Sequence, residues 1–105
     1  MSFIEVITTT AEKKDAEKIA NSLLTRKLAG CVQIYGPITS IFPWKGKTQT
    51  SEEWICSIKT RKDLFPAVEN LIKEIHPYEL PEIIATPIVL GTDQYLDWLD
   101  ENLRK

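Results

Sequence analysis

The sequence has few of the side chains from which most single-chain catalytic and redox sites are built. Its 105 residues include one histidine and two cysteines, and no HxxxH, GxSxG or phosphate-loop spacing occurs. Cys31 and Cys56 lie far apart and form no CxxC pair, so we expect two buried, reduced thiols rather than a disulfide or a redox site. An enzyme built from carboxylates alone stays open, but no spacing indicates one. We therefore predict a non-enzyme without an organic cofactor.

The chain also lacks a dominant charge and a long apolar run. Thirteen basic residues stand against fifteen acidic ones, a formal net charge of −2, and the basic residues are scattered, which disfavours nucleic-acid binding. No stretch approaches membrane-spanning length, and the N-terminus has no basic start or apolar segment typical of a signal peptide. We expect a cytoplasmic protein without membrane or nucleic-acid partners, folded as one domain over residues 1–105.

Four apolar runs bounded by turn residues predict strands at residues 3–9, 31–43, 53–60 and 82–90. The second run contains Pro37 and ends at Pro43, and the fourth contains Pro87, whereas the first and third contain no proline. Because proline cannot donate to a strand ladder, it favours edge strands. The sequence therefore predicts an α+β, ferredoxin-like split βαβ sandwich with the first and third strands in the centre.

Helical periodicity of apolar residues predicts three helices. The apolar positions of the first two are Ala16, Ile19, Ala20, Leu23, Leu24 and Leu28, then Leu64, Phe65, Val68, Leu71, Ile72 and Ile75. Capping-box spacing at Thr9 with Glu12, and more weakly at Thr60 with Asp63, predicts where these helices begin. Gly30 is expected to end the first, and His76 before Pro77 to end the second. A third helix over residues 93–103 is expected to cover a sheet edge or a neighbouring subunit.

The hairpin between the second and third strands is long for so small a domain. It carries Phe42, Trp44 and Trp54, and its tip is formed by residues 44–47. An uncovered edge with aromatic surface is unusual in a soluble monomer, so we predict edge-to-edge pairing with other copies of the chain in a closed ring. The alternative is that Trp44 folds over the domain's own core.

Six segments in register resemble one known family across the whole chain. They are Leu28-Ala29-Gly30-Cys31-Val32, Ser40-Ile41, Trp44 to Gly46, Lys59-Thr60, His76-Pro77-Tyr78 with Pro81-Glu82, and Tyr95-Leu96-Asp97-Trp98. Together they are similar to the CutA1 divalent-cation tolerance family. The resemblance implies a ferredoxin-like subunit, a homotrimer whose strands pair between subunits, and a cytoplasmic role linked to copper and other divalent metals.

His76 is the candidate metal ligand, with Glu79 and Glu82 nearby in sequence. An imidazole with carboxylates suits Cu(II) or Zn(II), and a trimer would supply further ligands across an interface. The alternative is that His76 only interacts with the end of its helix. Thr8 stands where some family members carry a cysteine proposed as a metal ligand, so copper binding through that position is not expected here.

Two further functions remain open. Because these trimers resemble the PII signalling proteins, a cleft lined by Lys59, Trp44, Tyr78 and Glu82 would bind a small anionic effector; Lys59 would otherwise only extend to solvent. The last possibility is a structural trimer that presents its surface to a protein partner.

Overall fold

A computed structural model describes residues 1–105. The elements follow in the order β1 (Phe3–Thr10), α1 (Lys13–Thr25), β2 (Cys31–Trp44), β3 (Lys47–Arg61), a 3₁₀ turn (Lys62–Leu64), α2 (Phe65–Ile75), β4 (Ile84–Ile88) and α3 (Asp93–Glu101). The strands form one sheet in the order β2-β3-β1-β4, and every pair is antiparallel. The α+β, ferredoxin-like prediction is confirmed, including the central β1 and β3 that the prolines indicated.

The β2–β3 hairpin is longer than the sequence predicted. Its strands have 14 and 15 residues, because the polar stretch 47–52, which lacks an apolar alternation, also pairs as strand. A register shift lies between Tyr35 and Ile38, where the Gly36–Pro37 peptide bond is cis. By contrast β4 is shorter than predicted, since only residues 84–88 pair with β1.

The hairpin extends beyond β1. The last pair between β1 and β3 is Thr10 with Trp54, whereas β3 continues pairing with β2 down to Lys47. Residues 47–53 of β3 therefore have no partner strand on the β1 side. The turn at the tip uses Lys45 and Gly46 at positive φ, which suits a two-residue hairpin loop.

The core lies between the sheet and the helices α1 and α2. Its central members are fully or almost fully buried: Val6, Ile19, Leu23, Cys56, Ile58, Val68 and Ile72. Since strand side chains alternate between faces, these strand positions place Thr8 on the same inner face. Thr8 is fully buried, and its hydroxyl has no hydrogen-bond partner.

Both predicted capping boxes are wrong. The residue before α1 is Glu12, which makes no side-chain cap. The hydroxyl of Thr60 instead donates to the Leu28 carbonyl at 2.7 Å, while Asp63 accepts from Arg61. Thr60 thus bonds to a residue distant in sequence and Asp63 to a residue two positions away, and neither caps a helix.

The helix ends are partly as predicted. The chain reverses after α1 at Lys27, which has a φ of 55°, and not at Gly30. His76 does end α2: its amide donates to the Ile72 carbonyl at 2.8 Å and its backbone is extended, as expected before a proline. No helix has the length and apolar character needed to cross a bilayer.

The helix α3 packs at the end of the sheet where β2 begins and β3 ends. Leu99 is fully buried against Gly30, and Asp100 pairs with Arg61 at 2.9 Å. The Thr92 hydroxyl accepts from the Tyr95 amide at 3.3 Å and so caps the helix start. Within the chain, α3 thus packs at the end of the sheet rather than along an edge strand, and the alternative that it covers a neighbouring subunit stays a prediction.

Candidate functional site

A cavity of about 820 Å³ lies where the hairpin extends past the end of β1. The hairpin forms one wall, and the loop 76–83 between α2 and β4 forms the other. The polar and charged lining residues are Thr9, Ser40, Gln49, Ser51, Glu53, Tyr78, Glu79 and Glu82, and the apolar ones are Ala11, Ile41, Phe42, Pro43, Trp44 and Leu80. The lining therefore carries three carboxylates and no basic side chain.

The loop wall is held to the sheet by the His76 ring. The ring Nε2 lies 2.7 Å from the Thr9 carbonyl oxygen, and Nδ1 accepts a hydrogen bond from the Tyr78 amide at 3.1 Å. A carbonyl only accepts and an amide N–H only donates, so this pair of partners selects the neutral tautomer with its proton on Nε2. Both nitrogens of this buried imidazole are engaged by backbone.

Tyr78 connects this anchor to the cavity. Its hydroxyl donates to Glu53 Oε2 at 2.7 Å, and its ring lies against His76 with the centroids 4.7 Å apart. The pKa of the Tyr78 phenol is raised above its ordinary value. Burial is the largest cause, and the hydrogen bond to the Glu53 carboxylate is the second. The phenol therefore stays protonated and acts as a donor at neutral pH.

Glu53 is the residue of this site that sequence reasoning missed. It is only 6% exposed, although its neighbour Glu52 is exposed to solvent. No sequence pattern indicated this burial, because the covering residue, Tyr78, is 25 positions away along the chain. From sequence alone, Glu52 and Glu53 before Trp54 are expected to be solvent-exposed, as charged residues at the end of a strand usually are.

The three predicted metal ligands are not gathered into one site. Glu79 and Glu82 line the cavity and are exposed, whereas His76 directs both ring nitrogens to backbone groups. No group of three or more histidine, cysteine, aspartate or glutamate side chains in the chain is arranged to hold a metal ion. The metal prediction thus stays a prediction for a site that also takes ligands from another chain.

Within the chain, the residues predicted to line an anion-binding cleft lie in two separate places. Trp44, Tyr78 and Glu82 line the same cavity, but Lys59 pairs with Cys31 at the far end of the hairpin. The stretch of β3 between Lys47 and Lys59 spans roughly 40 Å at about 3.3 Å per residue. The Lys59 amine donates instead to the Gln33 side chain.

The cysteines have unequal surroundings. Cys56 is fully buried in the core, as expected, whereas Cys31 is only half-buried, and both are free thiols. Burial raises the pKa of the Cys56 thiol to about 12. A thiol held in its protonated form is a poor nucleophile and a poor metal ligand.

An α+β, ferredoxin-like sandwich with a long β2–β3 hairpin and a carboxylate-lined cavity beside the protruding part of that hairpin defines the fold class of the chain. The model of the CutA1 divalent ion tolerance protein family matches residues 4–102. The chain belongs to this family, and the resemblance read from the sequence is confirmed. The description of the family names tolerance to divalent ions and no enzymatic reaction.

Individual relatives match over nearly the whole chain. The divalent-cation tolerance protein CutA of Thermus thermophilus is 40% identical over 97 residues, 92% of this chain and 94% of that protein. The crystal structure of CutA1 from Oryza sativa superposes with a TM-score of 0.97 at 39% identity, covering 100% of this chain and 96% of that one. A structure described as the periplasmic divalent cation tolerance protein CutA from Archaeoglobus fulgidus has a TM-score of 0.94 at 39% identity, with coverages of 97% and 99%.

The chain spans little more than half of some relatives. The chloroplastic CutA 1 protein of Oryza sativa subsp. japonica is 40% identical over 102 residues, which are 97% of this chain but 58% of that protein.

Proposed function

We propose that the chain acts in tolerance to divalent cations, copper among them, as a non-catalytic cytoplasmic homotrimer. Membership of the CutA1 family supports the cation link. The single observation that supports assembly is the hairpin, whose β3 edge is left without a partner strand over residues 47–53.

Unpaired strand edges favour association because their amide and carbonyl groups pair readily with another chain. The hairpin adds exposed apolar surface: Ile41 is 68% exposed and Tyr35 50%. Edge strands β2 and β4 are also free on their outer sides. A closed ring of three copies would pair these edges and cover the apolar side chains.

Glu79 and Glu82 are the cation ligands of this proposal. Their carboxylates are exposed at the cavity and form no ion pair within the chain. Two carboxylates give weak binding, and an additional ligand from a neighbouring subunit would complete the coordination. His76 would join them only if one of its two ring hydrogen bonds opened.

Sedimentation equilibrium at micromolar concentration tests the assembly. We expect a particle of about three times the 12.0 kDa chain mass. Deleting residues 44–47 should give monomers, because without its turn the protruding part of the hairpin cannot hold the β2–β3 pairing that presents the edge. The Lys45→Gln/Lys47→Gln variant controls for lost charge. A deletion variant that still sediments as a trimer would refute edge pairing through the hairpin.

Calorimetric titration with Cu(II) tests the cation site. The Glu79→Gln/Glu82→Gln variant should bind at least about tenfold more weakly, because an amide is a much poorer ligand than a carboxylate. Glu74→Gln, a change on the exposed face of α2, is the matched control. Equal affinity in all three proteins would remove these glutamates from the site.

The alternative function, binding of a small effector, is favoured by the cavity itself. Its volume of about 820 Å³ falls in the usual range for small-molecule sites. An anionic effector, however, would meet three carboxylates there and would need Lys59 from another subunit.

A further inference from the structure

We propose that the cavity beside the protruding part of the β2–β3 hairpin binds an organic cation, a small primary amine that carries an apolar group. This inference goes beyond tolerance to divalent cations, and it holds whether or not a metal binds to the same protein.

The charge of the lining defines the sign of the ligand. Glu53, Glu79 and Glu82 face the cavity, and no lysine, arginine or histidine lines it. None of the three forms an ion pair anywhere in the chain. The carboxylates therefore attract a cation and repel an anion.

Glu53 distinguishes this cavity from an ordinary acidic surface. Its side chain is more than nine-tenths buried, yet it receives one hydrogen bond, from Tyr78 to Oε2. Oε1 has no donor within the protein. Buried carboxylates are normally paired with a cation or bound by several donors, so Glu53 lacks a positively charged partner that a ligand would supply.

The remaining walls favour an organic ion over a bare metal ion. Phe42, Trp44 and Tyr78 provide aromatic surface, and Leu80 adds aliphatic surface. Aromatic faces attract ammonium groups and pack against apolar bodies. Lys45 Nζ lies 5.9 Å from the Trp44 ring centroid, a distance at which an ammonium group is attracted to an aromatic face.

The geometry assigns the parts of the ligand. The ammonium group donates to Glu53 Oε1, Tyr78 holds the carboxylate in place through Oε2, and the apolar group lies against Trp44 and Phe42. Glu79 and Glu82, which are exposed, contribute attraction at longer range rather than a close contact.

Binding of phenethylamine, its neutral analogue 2-phenylethanol and its anionic analogue phenylacetate tests the proposal. The titrations use full-length protein at pH 7.5 with EDTA present, so that metals do not contribute, and they follow tryptophan fluorescence and heat. We expect the amine to bind at least about tenfold more tightly than the alcohol, because a charge-assisted hydrogen bond to a buried carboxylate is lost in the neutral analogue.

Glu53→Gln should weaken amine binding about tenfold or more while it barely changes binding of the alcohol, because the amide still accepts from Tyr78 but has no charge. Glu74→Gln is the control for a lost surface charge. If Glu53→Gln does not fold, Glu79→Gln/Glu82→Gln provides a second test, with a smaller loss that disappears at high salt. Equal binding of amine and alcohol, or no binding of the amine at millimolar concentration, would overturn the proposal.

Discussion

Gly30 and Leu99 pack so closely that no side chain fits between them. A β-carbon on Gly30 would lie 2.5 Å from Leu99 Cδ1 and 3.1 Å from the Leu99 carbonyl oxygen. Leu99 is fully buried, so neither its side chain nor the backbone of α3 can move away freely. This contact sets the distance between α3 and the start of β2.

Gly30→Ala is therefore expected to lower the free energy of unfolding by about 1–3 kcal/mol, the usual range for overpacking. Urea denaturation measures it. In a Leu99→Ala background the same change should have a much smaller effect, because the closest clashing atom, Leu99 Cδ1, is gone and only the carbonyl contact remains. An additive double variant would contradict the direct contact.

The role of Gly30 illustrates what the sequence could not predict. Its position after an amphipathic run suggested a helix end, but Lys27 takes that conformation, and the glycine instead makes room for a helix about seventy residues later. Likewise Thr60 bonds to Leu28 and not to its own helix. Long-range partners decided both cases, and sequence spacing carries no information about them.

The strand order, in contrast, was predictable from local chemistry. Prolines mark edges because they lack a donor, so Pro37, Pro43 and Pro87 were sufficient to place β1 and β3 in the centre. Tyr78 and Glu82, which are close in sequence, line one cavity, whereas Lys59 lies far from it within the chain because it pairs with Cys31 at the opposite end of the hairpin. The predicted cleft lies between subunits, so its inclusion of Lys59 stays a prediction.

Arg61 connects the end of β3 to both the 3₁₀ turn and α3. It donates to Asp63 and Asp100 at 2.9 Å and to the Arg104 carbonyl at 2.7 Å, and it is 7% exposed. Arg61→Lys should lower the free energy of unfolding by about 2 kcal/mol, because one ammonium group cannot reproduce the planar array of donors.

Hydrogen exchange of the α3 amides would show whether the C-terminal helix loosens in Arg61→Lys. Arg26→Lys, at an exposed position, is the control. Unchanged exchange in α3 would contradict the proposed connection.

The hydrogen bonds of Arg61 also lower the pKa of Asp63. The stabilisation that the Arg61–Asp63 pair adds is present above the ordinary aspartate pKa and is lost as the pH falls below it. The free energy of unfolding of Arg61→Lys should therefore fall less on acidification than that of the wild type.

Cys56 is expected to make the free energy of unfolding depend on pH in the alkaline range. Burial raises its pKa from 9.0 to about 12. Below pH 9 both the folded and unfolded chains keep the proton; between pH 9 and 12 only the unfolded chain releases it, so the free energy of unfolding falls as the pH rises.

Cys56→Ala should reduce this slope by up to about 1.4 kcal/mol per pH unit. Urea titrations at pH 8, 10 and 11 measure the change. Cys31→Ala controls for removal of a cysteine. Parallel pH curves for wild type and Cys56→Ala would show that another group, such as Tyr78, causes the loss.

Substitution of His76 distinguishes its role as a structural anchor from a role as a metal ligand. Its ring joins the Thr9 carbonyl to the Tyr78 amide, so His76→Ala leaves two buried backbone groups without partners and should lower the free energy of unfolding by about 2 kcal/mol in metal-free buffer. The Tyr78 amide should then exchange faster with solvent. Glu74→Gln, which makes no such contact, should leave both quantities unchanged. Unchanged stability in metal-free buffer would contradict the anchor. Because the anchor acts without metal, Cu(II) titration of the same variant is an independent test, and lost copper binding would show that His76 contributes to the metal site.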